Sequence, residues 1–240
     1  MTVEIAQDGT AESEWQSWLG SRDWPALDAV EPGRRVVVVA AHPDDEVLGV
    51  AGLLSRLARH HPIVVVWATD GEASHPHSTA VAPSELARIR RAESRRALTR
   101  LGIAPVSARH LGLPDSGLAD REHDLRRELE RLVTPYDIVI APWAHDGHPD
   151  HEAAGRAARS LGTTCWEYPI WAWHWAGPDD PRVPWQSLRL VPGVDTERKA
   201  AAICEFASQV QPLGPDPADA PILPPQVLAH FTRPFEVVFG

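Results

Sequence analysis

Two short segments of the chain concentrate side chains that could hold a metal ion and move protons. Residues 42–46 read HPDDE, and residues 145–151 read HDGHPDH. Neutral imidazoles and carboxylates are good ligands for zinc and related divalent ions, and a second carboxylate beside such an ion can act as a general base. A helix start alone would also explain HPDDE, because Asp complements the helix dipole and Pro suits the first helical turn. Two such clusters in one chain favour a single metal site over two unrelated helix caps.

Each cluster follows an apolar segment that predicts a buried strand. Residues 36–41 and 138–141 are short apolar runs, which are typical of central strands in a parallel sheet covered on both faces. Apolar residues then recur at helical spacing over residues 47–58, and a helix rich in small residues is expected at 152–161. Both clusters therefore lie on strand-to-helix turns, where open α/β sheets bind ligands.

The remaining elements complete an alternating order of strands and helices. Further strands are expected at residues 63–68, 108–113, 165–170 and 235–239, and further helices at 12–19, 85–101, 125–133 and 197–206. This order predicts an α/β, Rossmann-like three-layer fold with a mostly parallel sheet of order 3-2-1-4-5 plus C-terminal strands. The order reverses between the first and fourth strands, so it brings His42 and His151 together. We expect residues 1–34 to form an N-terminal extension packed on one domain, residues 35–240.

Composition limits the partners and the location of the protein. A formal net charge of -10 argues against nucleic acid and anionic membranes as partners. The two cysteines are too few for a disulfide scaffold. The N-terminal segment lacks the apolar core of a secretory signal, and no apolar run reaches the length of a membrane span. We therefore expect a cytoplasmic protein that takes a small-molecule substrate; whether it forms a homo-oligomer stays open.

The two clusters also carry a family resemblance. HPDDE at 42–46 followed by HPDH at 148–151 resembles the motif pair of the LmbE-like/PIG-L superfamily of metal-dependent N-acetylglucosaminyl de-N-acetylases. The resemblance extends through TDGE at 69–72, the helix around Glu93, and LPD at 113–115, so it covers at least residues 35–161. It implies an LmbE-like deacetylase domain that removes an acetyl group from an amino-sugar small molecule or glycoconjugate. The implied cofactor is Zn²⁺, with Fe²⁺ or another divalent metal as alternatives.

Roles follow for the residues of the two motifs. Two imidazoles and one carboxylate would bind the metal and leave positions open for water and substrate, and the ligands assigned here are His42, Asp45 and His151. Asp44 is assigned as the general base. His148, if protonated, would stabilise the oxyanion or protonate the departing amine. Asp150 is expected to orient His148 or a ligand histidine.

Three further residues are predicted to contact substrate. The resemblance places a substrate-contacting arginine three residues before Glu93, which is Arg90, although Arg91 leaves the register open by one residue. Asp115 follows the third strand, and this position favours a role in contacting sugar hydroxyls. An aspartate that only forms the turn would give the same sequence pattern. Asp70, which ends the second strand, is the third predicted contact.

Two variable segments are expected to frame the pocket. The polar loop that runs to residue 83 suggests a functional loop or lid, in which His75 and His77 are solvated rim residues. The tryptophan-rich region 166–185 could form a pocket wall, a self-association patch or plain packing over the sheet.

Three other functions compete with sugar deacetylation. An amidase acting on a non-sugar amide would use the same residues. The ligand set also matches the facial triad of non-haem iron oxygenases, but hydrolysis needs a base such as Asp44 and oxygenation does not. A non-enzymatic metal-binding module would not need that base either. The acceptor molecule itself is not specified by the sequence.

Overall fold

A seven-stranded sheet forms the centre of the computed structural model, which describes residues 9–240; the first eight residues of the expected N-terminal extension lie outside it. The strands are β1 (Val36–Ala40), β2 (Ile63–Trp67), β3 (Ser107–His110), β4 (Ile138–Pro142), β5 (Thr164–Tyr168), β6 (Leu188–Pro192) and β7 (Phe235–Phe239). The longer helices are α1 (Glu12–Gly20), α2 (Asp45–Leu57), α3 (Pro83–Arg100), α4 (Glu122–Leu132) and α5 (Pro149–Arg159). The C-terminal helices are α6 (Ala172–Trp175), α7 (Thr196–Ile203), α8 (Ala207–Val210) and α9 (Pro225–Leu228).

The strand order confirms the predicted fold. Reading across the sheet, the order is β3-β2-β1-β4-β5-β7-β6. The first five strands are parallel, and β7 runs antiparallel to both β5 and β6. Strands β1 and β4 are neighbours, with Val36 opposite Ile138, so their carboxyl ends lie side by side. Helices α2 and α5 begin at those ends, which brings the two polar clusters to one edge of the sheet.

Helices cover both faces of the central strands, which explains why β1 is apolar at every position. Val36, Val38 and Ala40 belong to one buried apolar cluster, and Val37 and Val39 belong to a second one. Successive side chains of a strand point to opposite faces of the sheet. Each cluster therefore lies between the sheet and the helices that cover one of its faces. A strand buried on both faces holds the turn that follows it in a fixed position.

Two strands differ from the expectation. Strand β3 begins and ends earlier than predicted. Beyond it, the Leu111 and Leu113 amides still donate to the carbonyls of Trp67 and Ala68, at the end of β2. The side chains of β3 are mostly exposed because it is an edge strand, so apolar character did not mark its limits. Strand β6 was not predicted, because it forms by antiparallel pairing with β7 rather than from a local pattern.

The N-terminal segment packs on the C-terminal part of the chain. Trp15 is fully buried, contacts Trp173 and Trp185 at ring-centroid distances of 5.0 and 5.6 Å, and donates from Nε1 to the Trp173 carbonyl at 2.8 Å. Packing therefore accounts for much of the tryptophan-rich region. Among the described residues, no helix has the length and apolar character needed to cross a membrane.

Candidate active site

The turn between β1 and α2 carries His42, Asp44 and Asp45, and its backbone is strained at Asp44. Asp44 has a φ of 146°, which side-chain-bearing residues rarely adopt. The His42 backbone N–H donates to Asp45 Oδ2 at 2.8 Å, and the Asp44 carbonyl accepts the first amide bonds of α2. Strain of this kind costs on the order of 1–3 kcal/mol and persists only where the surroundings enforce it, which is typical of functional sites.

Two imidazole nitrogens and the two oxygens of the Asp45 carboxylate converge between this turn and the start of α5. His42 Nδ1 lies 3.2 Å from His151 Nε2, and the Asp45 carboxylate lies 3.7 Å from the first nitrogen and 3.2 Å from the second. Ligand atoms of a tetrahedral zinc site, at bond lengths of about 2.0–2.2 Å, are separated by roughly 3.3 Å. These residue types and spacings suit a divalent metal ion. Two other groups, His42 with His148 and His151 and His42 with Asp115 and Asp150, also lie close enough together to hold one.

The other nitrogen of His42 faces two carboxylates. Its Nε2 lies 3.2 Å from Asp115 Oδ1 and 3.3 Å from Asp150 Oδ2. Asp150 is itself held by the Ser116 and Leu118 amides, which donate to its two oxygens at 2.8 and 3.0 Å. Carboxylates in this position orient a ligand histidine and raise its basicity. Asp150 was expected to orient His148 or a ligand histidine, and its carboxylate contacts His42.

Asp146 makes the corresponding contact with His151, and sequence analysis gave this residue no role. It is fully buried, and its Oδ2 lies 2.7 Å from His151 Nδ1. Its carboxylate also accepts from the backbone amides of Ile170, Trp171 and Ala172 at 2.9–3.0 Å. The contact leaves His151 Nε2 to face His42 and Asp45. The available signal was an acid five residues before His151, but only the fold shows which imidazole it reaches.

These carboxylates make the position between the two imidazoles favourable for positive charge. Burial alone would lower the pKa of His42, but Asp115 and Asp150 outweigh it and raise that pKa well above its usual range. Burial is likewise outweighed at His151, where Asp45 and Asp146 raise the pKa to about 9. Burial would raise the pKa of Asp45, but the charges and hydrogen bonds of His151 and His42 together outweigh it and lower that pKa. A divalent cation bound here would receive the same stabilisation.

Asp44 is buried beside this centre and is held by an arginine. Arg90 Nη2 donates to Asp44 Oδ2 at 3.1 Å and to the Pro43 carbonyl at 2.9 Å, while Nη1 donates to the Gly71 carbonyl at 2.9 Å. Burial raises the pKa of Asp44 to about 7, against the opposing effect of Arg90. A carboxyl group poised near neutrality suits a general base. Of the two neighbouring arginines, Arg90 is the one that lines the cavity.

The surroundings of His148 oppose the protonated form that was considered from the sequence. Burial and then repulsion from His151 and His42 lower its pKa to about 3. Its Nδ1 accepts from the Asp150 backbone N–H at 3.2 Å, which favours the neutral tautomer with the proton on Nε2. One nitrogen each of His42, His148 and His151 lies within 4.8 Å of the others, so His148 borders the centre.

The predicted substrate contacts separate into two groups. Arg90 and Asp115 line a cavity of about 360 Å³ that also contains His42, Asp44, Asp45, His148 and His151. Asp70 is not part of that lining; it pairs with Arg91 and lies 2.9 Å from His110 Nδ1. Asp70 therefore links α3 to β3, and the structure shows no contact between it and the cavity.

The loop after β2 forms part of the cavity wall, and its two histidines differ. His77 is exposed, as expected for the rim. His75 was expected to be solvated too, but it is buried, and its Nε2 lies 3.2 Å from the Ala220 carbonyl. His75 therefore connects the loop to the proline-rich segment 212–225. The composition of the loop alone cannot reveal a contact between residues so far apart in sequence.

Comparison with known proteins adds a family and several relatives. Residues 37–161 match the family model for GlcNAc-PI de-N-acetylase (PIG-L). A probable N-acetyl-alpha-D-glucosaminyl L-malate deacetylase 2 of Bacillus anthracis is 34% identical over 141 residues, which cover 54% of this chain and 60% of that protein. A 1D-myo-inositol 2-acetamido-2-deoxy-alpha-D-glucopyranoside deacetylase of Kineococcus radiotolerans is 26% identical, covering 82% of this chain and 61% of that protein. The chain thus spans about 60% of the length of these two relatives.

A solved structure supports the fold. The N,N'-diacetylchitobiose deacetylase from Pyrococcus horikoshii aligns with a TM-score of 0.58 at 23% identity, covering 74% of this chain and 71% of that one. At this identity the likeness establishes the shared architecture alone.

Proposed function

This chain belongs to the GlcNAc-PI de-N-acetylase (PIG-L) family, and from that premise we propose that it is a zinc-dependent hydrolase that removes the N-acetyl group from an N-acetylglucosamine-type small molecule or glycoconjugate. The observation that carries this proposal is the convergence of His42, Asp45 and His151 beside the buried carboxyl group of Asp44, inside one cavity. The names of the two relatives, which describe acetylated glucosamine conjugates, support the substrate class.

The metal would be held by His42 Nδ1, His151 Nε2 and the Asp45 carboxylate. Zn²⁺ bound there would polarise the amide carbonyl and lower the pKa of bound water from about 16 towards roughly 7. Fe²⁺ accepts the same imidazole and carboxylate ligands. We propose zinc, and elemental analysis of the purified protein distinguishes it from iron.

Proton transfer is assigned to Asp44. Its carboxylate takes a proton from the attacking water and, because burial raises its pKa to about 7, it can also return that proton to the departing amine nitrogen. Arg90 holds this carboxylate in place through its Nη2. The products are a free amine and acetate.

His148 is assigned to stabilise the negative charge that develops on the amide oxygen. The neutral ring with its proton on Nε2 can donate a hydrogen bond without being an acid. Asp150, which donates its backbone N–H to Nδ1, fixes the tautomer. This role keeps the oxyanion stabilisation considered from the sequence and does not require a protonated imidazole.

An amine-release assay tests the proposal. Zinc-loaded protein is incubated with a panel of N-acetylglucosaminides and with N-acetyl amino acids, and free amine and acetate are quantified together. We expect equimolar amine and acetate from the glucosaminides, and none from the Asp45→Ala variant, which retains too few metal ligands. Release from the amino acid derivatives alone would indicate an amidase with a non-sugar substrate. Absence of release from every compound by protein with stoichiometric zinc would reject the hydrolase assignment.

A further inference from the structure

The charged side chains of the cavity are all engaged with the candidate catalytic cluster. Among the described lining residues, Arg90 is the one Arg or Lys. Both of its terminal nitrogens donate within the protein, to Gly71, Pro43 and Asp44, and its Nε is buried away from the cavity solvent. The acidic side chains in the lining are those of Asp44, Asp45 and Asp115. Apart from the proposed metal ion, a carboxylate or phosphate on the substrate would therefore meet no exposed arginine or lysine nitrogen in the lining, and burying an unpaired anion is costly.

Apolar side chains make up most of the remaining wall. They are contributed by four separate parts of the chain: Leu48, Pro76, Ile170, Trp171, Ile222 and Leu223. Leu48, Ile170, Trp171 and Leu223 are buried, whereas Pro76 is exposed and Ile222 is partly exposed. The apolar surface thus extends from the interior of the cavity to its mouth.

This wall is fastened at both sides. The Ile170 and Trp171 amides donate to Asp146, the same carboxylate that holds His151. The segment that carries Ile222 is joined to the loop after β2, because Ser78 Oγ donates to Asp219 Oδ1 at 2.5 Å and His75 contacts the Ala220 carbonyl. A wall anchored in this way binds an apolar group with little ordering cost.

Three uncharged polar residues besides the histidines line the cavity: Ser74, Ser116 and Gln209. Ser74 and Gln209 line the cavity, and Gln209 Nε2 donates to Ser74 Oγ at 3.4 Å. Gln209 is buried and is placed by Ser208, whose amide and hydroxyl donate to Glu93 at 2.9 and 2.7 Å. Neutral donors and acceptors suit hydroxyl groups and offer nothing to an ionic group.

We infer that the acetylated amino sugar carries an uncharged, apolar aglycone that lies against this wall, unlike the L-malate conjugate named for the Bacillus relative. The inference rests on the function proposed above. Discrimination has two sources: apolar contact favours an alkyl or aryl group, and the lack of an exposed arginine or lysine nitrogen in the lining disfavours an anion. An octyl aglycone should gain at least about tenfold in affinity over free N-acetylglucosamine, since burial stabilises by about 25 cal/mol per Å².

Calorimetric titration of the zinc-loaded protein tests the aglycone class separately from catalysis. The ligands are octyl N-acetylglucosaminide below its micelle concentration, free N-acetylglucosamine, and N-acetylglucosaminyl L-malate, with amine release measured in parallel. We expect the octyl glycoside to bind at least about tenfold more tightly than the other two. Equal or tighter binding of the malate conjugate would overturn the inference. Tighter octyl binding without amine release would support the apolar aglycone and reject the deacetylase activity. Amine release without tighter octyl binding would support the deacetylase activity and reject the apolar aglycone.

A matched pair of variants locates the contact. Ile222→Asp places a carboxylate at the mouth of the cavity, where the side chain is partly exposed and the charge can stay hydrated. This variant should bind the octyl glycoside about tenfold more weakly. Val106→Asp changes an apolar residue that is 67% exposed and lies outside the cavity lining, so the octyl affinity should stay unchanged. Both proteins are checked for an unaltered thermal transition. Octyl binding by Ile222→Asp at the wild-type affinity would show that the aglycone does not lie against this wall.

Discussion

Asp44 and Asp45 are adjacent carboxylates with opposite electrostatic surroundings. Asp45 lies against two imidazoles, which lower its pKa, whereas burial raises the pKa of Asp44 to about 7. A carboxylate with a low pKa suits metal binding, and one with a raised pKa suits proton transfer. Environment therefore supports the division of roles that the motif by itself leaves ambiguous.

Replacement of Asp44 separates these roles. We expect Asp44→Asn to retain zinc, because no ligand is lost, and to lower kcat on the order of 10²- to 10⁴-fold, because the proton acceptor is removed. Elemental analysis and steady-state kinetics on the same preparation measure both quantities. Loss of zinc from this variant would require Asp44 and Asp45 to exchange roles.

A second substitution examines the protonation of His148. His148→Ala should keep zinc and lower kcat more than it changes KM, since a bond to the oxyanion forms in the transition state. The pKa of His148 is lowered to about 3, so this side chain stays neutral across the neutral range, and the kcat–pH profile of the variant should keep its alkaline limb. Disappearance of that limb would show that His148 acts as a protonated acid after all.

At the scale of elements, Asp146 joins the turn after β4 to the turn before α6. It holds His151 and three backbone amides from residues 170–172 at once. We expect Asp146→Ala to weaken zinc binding by about 10- to 100-fold, the usual effect of removing a carboxylate that orients a ligand histidine. Competition with a chromogenic chelator measures the zinc Kd. Asp216→Ala, at an exposed turn, serves as the control, and an unchanged Kd for Asp146→Ala would contradict the assigned role.

Helix α5 approaches β4 closely because of one glycine. A Cβ on Gly155 would lie 2.5 Å from the Pro142 carbonyl oxygen and 2.7 Å from the Ala144 nitrogen, both backbone atoms that cannot move away easily. We expect Gly155→Ala to lower the free energy of unfolding by about 1–3 kcal/mol and to weaken zinc binding, because α5 carries His151. Urea unfolding is the measurement. Gly20→Ala, where a Cβ meets nothing within 4 Å, should have no such cost, and equal stability of the two variants would contradict the packing argument.

At the scale of the whole molecule, the N-terminal helix is tied to the last part of the chain by Glu12. Its carboxylate accepts from Arg233 Nε at 2.7 Å and Nη2 at 2.6 Å, and it lies 2.8 Å from His230 Nδ1. Arg233 in turn lies over the Trp173 ring at 4.1 Å. Burial would raise the pKa of Glu12, but Arg233 and His230 outweigh it and lower the pKa to about 2.

This contact predicts a pH-dependent contribution to stability. A carboxyl group with a depressed pKa stabilises the folded state above its unfolded pKa of about 4.5, and the contribution is lost as the pH falls towards 2. Glu12→Gln should therefore lower the free energy of unfolding at pH 7 by about 1–3 kcal/mol, and the difference should shrink below pH 4.5. Denaturant titrations at about pH 7 and about pH 3.5, on either side of that unfolded pKa, test this. The exposed Glu14→Gln is the control, and a difference that stays constant with pH would contradict the ionic role of Glu12.

Local patterns and topology predicted the architecture and the meeting of the two clusters. Apolar runs mark strands that are buried on both faces, and parallel strands connected by helices place their carboxyl ends at one edge, so the sequence alone predicts that His42 and His151 lie together. The strand order confirms that reasoning. The chemistry of HPDDE is likewise contained in a few consecutive residues.

Only the tertiary structure decided which neighbours complete the site. Asp146 reaches His151, Arg90 rather than Arg91 reaches Asp44, and Asp70 pairs with Arg91 and His110 away from the cavity. Strand β6 and the fastening of the apolar wall at Asp219 also depend on residues far apart in sequence. Such contacts are set by how helices and loops pack across the sheet, and the periodicity of one segment carries no information about the side chains that another segment presents to it.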